Sequence, residues 1–334
     1  MYLISVAILL FVIHTSLALT AQQLATKWNG FKLSNKRRYS NRLDEALRFQ
    51  IFKSNLEFIE KHNARADIGE VSYRLAVNQF ADMTSHEFSI LENGFDHGLF
   101  WPSQKSEVFP HNASHKNPSS VDWRGLTTPI KDQGKCGSCW AFATTGVIEA
   151  LNARKTGLIV PLSEQQLIDC SIPFGNNGCN GGYMNNAFRY IVQNNGLNSE
   201  KVYSYSANTG RCRYRSNDKS KIQISSFARI PQGDEQALEQ AVAIVGPISI
   251  AIDASLPTFQ FYSSGIYSDT ECKNKFKSLN HAVVLVGYGL EGNNSYWLIR
   301  NSWGSNWGTQ GYMRIAKGND NLCGVATESS YPIL

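Results

Sequence analysis

Cysteine is absent from the first 135 residues of this 334-residue chain. The seven cysteines that follow are Cys136, Cys139, Cys170, Cys179, Cys212, Cys272 and Cys323. Disulfides are therefore excluded from the first third of the chain and are possible in the rest. Because the count is odd, one thiol is left over, either for an intermolecular bond or for chemistry.

A large excess of charge of one sign is also missing, since the formal net charge is +5. Residues 20–116 carry 13 basic and 11 acidic side chains, and residues 117–334 carry 19 and 16. Neither part resembles the basic arm of a polyanion-binding protein, so no nucleic-acid partner is predicted.

Long apolar runs are limited to one at the beginning of the chain, Tyr2–Ile13. It is shorter than the roughly 20 residues that span a bilayer, so no membrane span is predicted. Small residues follow at Ser16-Leu17-Ala18, as at a signal-peptidase site, although no Lys or Arg precedes the run. A buried N-terminal helix is the alternative. We expect a signal peptide over residues 1–18, and hence export to an oxidising compartment, lysosomal or extracellular (including a gut lumen).

The remaining chain changes character twice. Residues 44–63 carry apolar side chains at helical spacing, and residues 94–120 are a Gly- and Pro-punctuated linker where proteolytic nicking is expected. Later segments predict helices at 139–156, from 163 onward and at 187–193. They also predict strands at 248–252, 282–286, 296–299 and 312–315. Helices followed by strands indicate an α+β fold with two subdomains and a cleft between them.

The residues that suggest chemistry begin with Cys139, in the run Gln133-Gly134-Lys135-Cys136-Gly137-Ser138-Cys139-Trp140. Cys139 lies at the predicted start of a helix, where the helix dipole favours a thiolate and lowers the thiol pKa. A nucleophilic thiolate also needs a base, which is usually a histidine oriented by a third group.

His281 is the candidate base, and Asn301 is the candidate orienting group. The Asn301 carbonyl can accept the imidazole N–H, and Trp303 can shield that bond from water. The Gln133 amide and the backbone N–H of Cys139 could stabilise an oxyanion. These groups together predict acyl transfer through a Cys–His pair.

These motifs resemble the papain family of cysteine proteases, in its cathepsin L-like branch. The family signature C-G-[SA]-C-[WY] is present at residues 136–140, with His281 and Asn301 lying 142 and 162 residues after Cys139. The resemblance implies a two-subdomain fold, with a helical left part, an antiparallel β-barrel-like right part and the active-site cleft between them. It also implies a cysteine endopeptidase that needs no metal and no cofactor.

The resemblance extends to a helical inhibitory prosegment. The family's helix pattern matches Asp44, Arg48, Phe52, Asn55, Ile59 and Asn63, and its next motif matches Ala76, Asn78, Phe80 and Asp82. Asp44 and Ala76 replace the family's Glu and Gly. The resemblance implies an inhibitory propeptide over residues 19–116 and a mature protease over residues 117–334. We expect release at acid pH, because protonation of carboxylates in the 44–63 helix and at Asp82 would weaken the charge pairs that hold the prosegment.

Six cysteines allow 15 pairings, and the residues alone do not choose among them. The resemblance implies that Cys136 pairs with Cys179, Cys170 with Cys212 and Cys272 with Cys323, which leaves Cys139 free.

The resemblance also implies which residues bind the substrate. Gly182 would hold the substrate backbone, and the pocket for the second residue before the scissile bond would be lined by Tyr183, Met184, Ala251 and Leu279. Such a pocket favours Phe or Leu. Glu328 falls at its floor and could pair with an arginine, unless its side chain points outward as a surface charge.

Three other interpretations stay open at this stage. Cys136 and Cys139 could form a thioredoxin-type redox pair, and Cys136, Cys139, Cys170 and Cys179 could bind zinc. A papain-like chain could also serve as a binding or structural protein without catalysis.

Further expectations concern partners and modification. We expect protein and peptide substrates, inhibition by the chain's own propeptide and by cystatin-type proteins, and a monomer. Sequons at Asn112 and Asn293 predict N-glycosylation.

Overall fold

The computed structural model describes residues 20–99, 106–214 and 216–334. The predicted signal peptide, residues 1–18, lies outside the described residues.

Two long helices begin the described chain and are followed by a short strand, a third helix and a two-residue strand, namely α1 (Ala21–Ser34), α2 (Arg42–Asp67), β1 (Tyr73–Leu75), α3 (Ser85–Glu92) and β2 (Glu107–Val108).

Helix α2 extends beyond the predicted residues 44–63 at both ends. Asn41 caps its first turn, because its side-chain oxygen accepts hydrogen bonds from the backbone N–H groups of Leu43 and Asp44. The predicted apolar stripe is only partly right. Phe52 and Ile59 are buried, but Leu47 is 57% exposed. Leu47 therefore lies on the solvent-facing side of the helix.

The rest of the chain contains helices and strands in the following order: β3 (Val121–Asp122), α4 (Cys139–Thr156), α5 (Glu164–Cys170), α6 (Met184–Gln193), β4 (Ser226–Arg229), α7 (Glu235–Ile244), β5 (Ile248–Ile252), α8 (Pro257–Gln260), β6 (Tyr262–Tyr267), β7 (His281–Glu291), β8 (Asn294–Arg300), β9 (Tyr312–Ala316) and β10 (Glu328–Ile333). Helices dominate the first half and strands the second, so the α+β prediction is confirmed.

Helix α4 has the predicted bounds and is the central helix of the molecule. Its residues from Cys139 to Leu151 are all buried, because it packs against α5 and α6 on one side and β5 and β7 on the other. It ends at Gly157, whose φ of 75° suits a residue without a Cβ. The central helix therefore holds its first residue, Cys139, at the junction of the two subdomains.

The described strands form one ten-stranded sheet in the order β1-β6-β9-β8-β7-β5-β10-β4-β2, with β3 paired to β7. Strands β1 and β2 belong to the predicted prosegment, and they are the two outermost strands. The prosegment thus covers both edges of the protease sheet, where unpaired backbone groups would otherwise be exposed.

Strand β7 is the strand that matters most for the site. It pairs with β5 on one side and β8 on the other, so its residues 281–289 are buried. This continuous burial explains its apolar sequence after His281.

No helix within the described ranges is long and apolar enough to cross a membrane.

Candidate active site

Cys139 is the first residue of α4 and is fully buried in the precursor. Its Sγ accepts hydrogen bonds from the backbone N–H of Gly94, at 3.2 Å, and of Ala282, at 3.4 Å. Gly94 belongs to the prosegment, and Ala282 follows His281 in β7. The sulfur therefore lies where the predicted prosegment, the central helix and the strand that carries the candidate base meet.

His281 begins β7, and its ring is held by Asn301. The imidazole Nε2 lies 2.8 Å from Asn301 Oδ1, which also accepts a hydrogen bond from the Ser302 backbone N–H. Because Oδ1 is an acceptor, Nε2 carries the proton and Nδ1 keeps a free lone pair. Nδ1 is buried with no hydrogen-bond partner among the described residues, which is the state that a general base requires.

Trp303 protects this pair from water. Its ring stacks on the His281 imidazole with centroids 4.4 Å apart and an interplanar angle of 26°. Trp303 is fully buried and makes edge contacts with Phe259 and Trp307. The Trp303 side chain thus restricts the rotation of the imidazole and covers the His281–Asn301 hydrogen bond.

Burial has the largest effect on the pKa values of Cys139 and His281 in the precursor. It raises the pKa of the Cys139 thiol to about 11 and lowers the pKa of His281 to about 4. The precursor therefore holds a neutral thiol beside a neutral imidazole at physiological pH. The lowered thiol pKa that the helix start predicts is not found in this state, because desolvation outweighs the helix dipole.

Gln133 is positioned by the neighbouring loop and contacts the prosegment. Its side-chain oxygen accepts a hydrogen bond from the Ser302 hydroxyl at 2.7 Å, which fixes the orientation of the amide. Its Nε2 donates to the backbone carbonyl of Glu92 at 2.8 Å. The Gln133 amide, which is predicted to donate a hydrogen bond to an oxyanion, is thus already bonded to a carbonyl of the prosegment.

The prosegment crosses the cleft through backbone contacts. Gly182 donates its N–H to the Gly94 carbonyl at 2.9 Å, and the Gly182 carbonyl accepts from Asp96 at 3.0 Å. A side chain at residue 94 is sterically excluded, because a Cβ there would lie 2.0 Å from the Gly137 carbonyl oxygen. The chain can approach the nucleophile this closely only at a glycine.

The side chain of Phe95 enters the predicted specificity pocket. Its ring lies 5.5 Å from that of Tyr183 and 6.4 Å from that of Phe276, between ring centroids. The predicted lining residues Tyr183, Met184, Ala251 and Leu279 are all buried. Phe276 was not predicted, because it lies in a short turn without the apolar periodicity that identifies helices and strands.

Glu328 points inward and is not a surface charge. Its side chain is 1% exposed, and its backbone pairs with Ala251 across β5 and β10. Arg229 already forms a salt bridge with its carboxylate, at 3.1 Å. The expectation of a carboxylate available to a substrate arginine therefore does not fit this arrangement.

All seven cysteines lie in the described residues. Cys136 is bonded to Cys179, Cys170 to Cys212 and Cys272 to Cys323, with Cα–Cα distances of 4.7, 4.8 and 4.9 Å. These are the pairs that the resemblance implied, and Cys139 is the free thiol. Because Cys136 is bonded elsewhere, the redox pair and the four-cysteine zinc site are both wrong.

Comparison with known proteins agrees with this geometry. Residues 117–333 match the family described as Papain family cysteine protease, and residues 28–88 match the Cathepsin propeptide inhibitor domain. The chain belongs to the papain family of cysteine proteases. It is a peptidase of cathepsin L type with a propeptide inhibitor domain.

Relatives across most of the chain support this assignment. Cathepsin L1 of Drosophila melanogaster is 45% identical, over 94% of this chain and 86% of that protein. Digestive cysteine proteinase 2 of Homarus americanus is 44% identical, over 92% of this chain and 94% of that protein. The solved structure of digestive procathepsin L 3 from the larval midgut of Tenebrio molitor is 42% identical. It superposes with a TM-score of 0.86 over 93% of this chain and 99% of that chain.

Proposed function

We propose that Cys139, His281, Asn301 and Gln133 are the catalytic residues of this papain-family endopeptidase. In the uncovered site, the Cys139 proton passes to Nδ1 of His281, and the resulting thiolate attacks a peptide carbonyl. Gln133 donates to the developing oxyanion. The imidazolium then gives its proton to the leaving amine, and water, deprotonated by His281, hydrolyses the acyl-enzyme. The hydrogen bond from Gln133 to the Glu92 carbonyl supports the proposal most directly, because it shows that the Gln133 amide can donate to a peptide carbonyl of a segment that also contacts Cys139 Sγ through Gly94.

The proposed boundaries are a signal peptide at 1–18, an inhibitory propeptide at 19–116 and a mature protease at 117–334. The position of β2 supports the second boundary, because this last prosegment strand is only two residues long and exposed. Removal of residues 19–116 would uncover Cys139, so that desolvation no longer favours the neutral pair and the start of α4 favours the thiolate.

Acid processing of the precursor tests the proposed function. Purified precursor should lose the mass of residues 19–116 at acid pH and then hydrolyse peptides with Phe or Leu at the second residue before the scissile bond. A thiol-directed epoxide should titrate one group in the product and almost none in the precursor at neutral pH. Mass loss without peptidase activity would contradict the catalytic assignment.

The charge pairs of the prosegment do not all respond to acid in the same way. Glu87 bonds to Arg48, whose guanidinium holds the pKa of Glu87 at about 2. Both residues belong to the prosegment, so the pair stabilises the folded prosegment until the pH falls through that value, and it persists at pH 4. Glu92 acts in the opposite sense, because burial raises its pKa to about 8 and its protonated form favours docking as pH falls.

His62 is a prosegment group whose titration has the sign needed for acid release, a sign that it shares with the buried His281. It is buried, its Nε2 lies 3.1 Å from the Tyr73 carbonyl, and Tyr73 in turn bonds to Asp269 of the protease. Burial lowers the pKa of His62, and the nearby Arg65 and Arg74 lower it further, whereas the Tyr73 carbonyl and the charge of Asp269 on the protease oppose this shift without reversing it. Docking is therefore fully stabilised above the ordinary histidine pKa of about 6.5 and weakens as pH falls below it.

Replacing His62 with glutamine should flatten the pH dependence of prosegment release between pH 6.5 and 5. Glutamine keeps a donor for the Tyr73 carbonyl but does not titrate, and one proton changes an equilibrium by at most about tenfold per pH unit. The rate at which a thiol reagent modifies Cys139 in the precursor measures release. Glu92→Gln is the contrasting variant and should make release steeper, and an unchanged slope in His62→Gln would contradict this role.

Substrate, location and partners complete the proposal. We infer a preference for Phe or Leu in the pocket that receives Phe95, and residence in the secretory pathway, either lysosomal or extracellular. Support comes from the apolar lining and from relatives that include digestive enzymes. We also propose that the enzyme is a monomer and that cystatin-type proteins inhibit it. N-glycans would be attached at Asn112 and Asn293, which are both exposed.

A further inference from the structure

The Glu328 carboxylate is surrounded by hydrogen-bond donors of the protease itself. Asn185 Nδ2 lies 3.2 Å from Oε1, Arg229 Nη2 lies 3.1 Å from Oε2, and the Tyr183 hydroxyl also bonds to the carboxylate. The ring of the same Tyr183 also contacts Phe95, at 5.5 Å between ring centroids. Tyr183 therefore connects the Glu328 carboxylate to the pocket that receives the prosegment phenylalanine.

Arg229 reaches this carboxylate from outside the pocket. It is the last residue of β4, its backbone pairs with Ser330 of β10, and its side chain is 30% exposed whereas that of Glu328 is 1% exposed. A buried carboxylate without a counterion is strongly unfavourable, and the guanidinium favours the ionised form, although burial still raises the pKa of Glu328 above its ordinary value. Arg229 is thus the cation already paired with the Glu328 carboxylate.

This pairing has a direct consequence for an arginine substrate. An incoming guanidinium would lose its hydration, and it would have to displace Arg229 to find a counterion. A Phe or Leu side chain needs no counterion and gains from apolar burial. The pocket therefore discriminates against positive charge, even though it contains a carboxylate.

We propose that Arg229 is a specificity-determining residue, which pairs with Glu328 and thereby keeps the pocket selective for Phe and Leu over Arg. The proposal rests on the proposed function, because it assumes that the pocket filled by Phe95 receives the substrate side chain. It places the determinant in β4, outside the set of residues that line the pocket.

Replacing Arg229 with methionine tests this role, because methionine keeps much of the side-chain volume and removes the charge. The mature enzyme is assayed with two matched peptides that differ only in Phe or Arg at the second residue before the scissile bond. The active-site concentration is set by epoxide titration. We expect the ratio of kcat/KM for Arg over Phe to rise about tenfold or more, which corresponds to about 1.4 kcal/mol, with kcat/KM for Phe nearly unchanged.

Three control variants separate the charge pair from other effects. Arg229→Lys keeps a cation near the carboxylate and should retain the wild-type ratio. In Arg229→Met/Glu328→Gln the carboxylate is also gone, so the ratio should return to the wild-type value. If Arg229→Met does not fold, as judged by its Tm, Arg229→Gln provides the same loss of charge with a hydrogen-bonding side chain.

Two results would overturn the proposal. One is an unchanged ratio in a folded, titratable Arg229→Met enzyme, and the other is a wild-type enzyme that already cleaves the Arg peptide as well as the Phe peptide. Failure of the proposed function looks different, because then neither peptide is hydrolysed and no thiol is titrated by the epoxide.

Discussion

Replacing Cys139 with alanine should abolish peptide hydrolysis and leave the precursor intact at acid pH. Without the sulfur there is no nucleophile and no acyl-enzyme, and loss of such a residue typically lowers kcat by about four orders of magnitude or more. The measurement is kcat/KM on a Phe-containing peptide, together with the mass of the precursor after a drop in pH.

A second variant is needed to distinguish loss of the nucleophile from loss of folding stability. Sγ accepts hydrogen bonds from Gly94 and Ala282, so alanine leaves two buried N–H groups unpaired, at a cost of about 1–3 kcal/mol each in stability. Cys139→Ser keeps an acceptor at this position but offers a much weaker nucleophile. Both variants should be inactive, and the serine variant should have the higher Tm. Hydrolysis by either at near wild-type rate would end the assignment of Cys139.

Replacing Gly94 with alanine should release the prosegment from the cleft at neutral pH. The new Cβ would lie 2.0 Å from the Gly137 oxygen, 2.2 Å from its carbonyl carbon and 2.7 Å from its Cα. These are backbone atoms of the loop that leads directly into the central helix, so the clash is relieved only if the prosegment moves. Overpacking of this kind costs roughly 1–3 kcal/mol, which corresponds to as much as about a hundredfold in the docking equilibrium.

Modification of Cys139 by a small thiol reagent in the intact precursor measures this release. Gly94→Ala should react up to about a hundredfold faster than the wild type. Gly30→Ala is the matched control, because a Cβ at this position of α1 meets nothing within 4 Å. Equal rates for the two variants and the wild type would show that Gly94 does not govern access to the thiol.

Local patterns were sufficient for the helix that carries the candidate nucleophile, and they found part of the strand that carries the candidate base, 282–286 of His281–Glu291. The bounds of α4 and β5 match the sequence prediction, because apolar spacing and the Gly157 stop act over a few residues. Other elements were missed, among them β4, β6, β10 and α7. β4 and β6 mix polar with apolar side chains, and β10 begins with three polar residues, which are buried because β4 and β5 flank the strand and α4 and α6 pack against it.

Long-range contacts decided the properties of the site that local patterns could not. The helix start predicts a low thiol pKa, but the amide of Gly94, 45 residues away in the chain, helps to bury Cys139, and desolvation reverses the sign. The inward direction of Glu328 and its pairing with Arg229 likewise depend on strands 99 residues apart. Composition and spacing determined which residue types are available for cysteine protease chemistry. Only the tertiary structure decided their protonation states and partners, because desolvation and charge pairing depend on distance in space and not on distance along the chain.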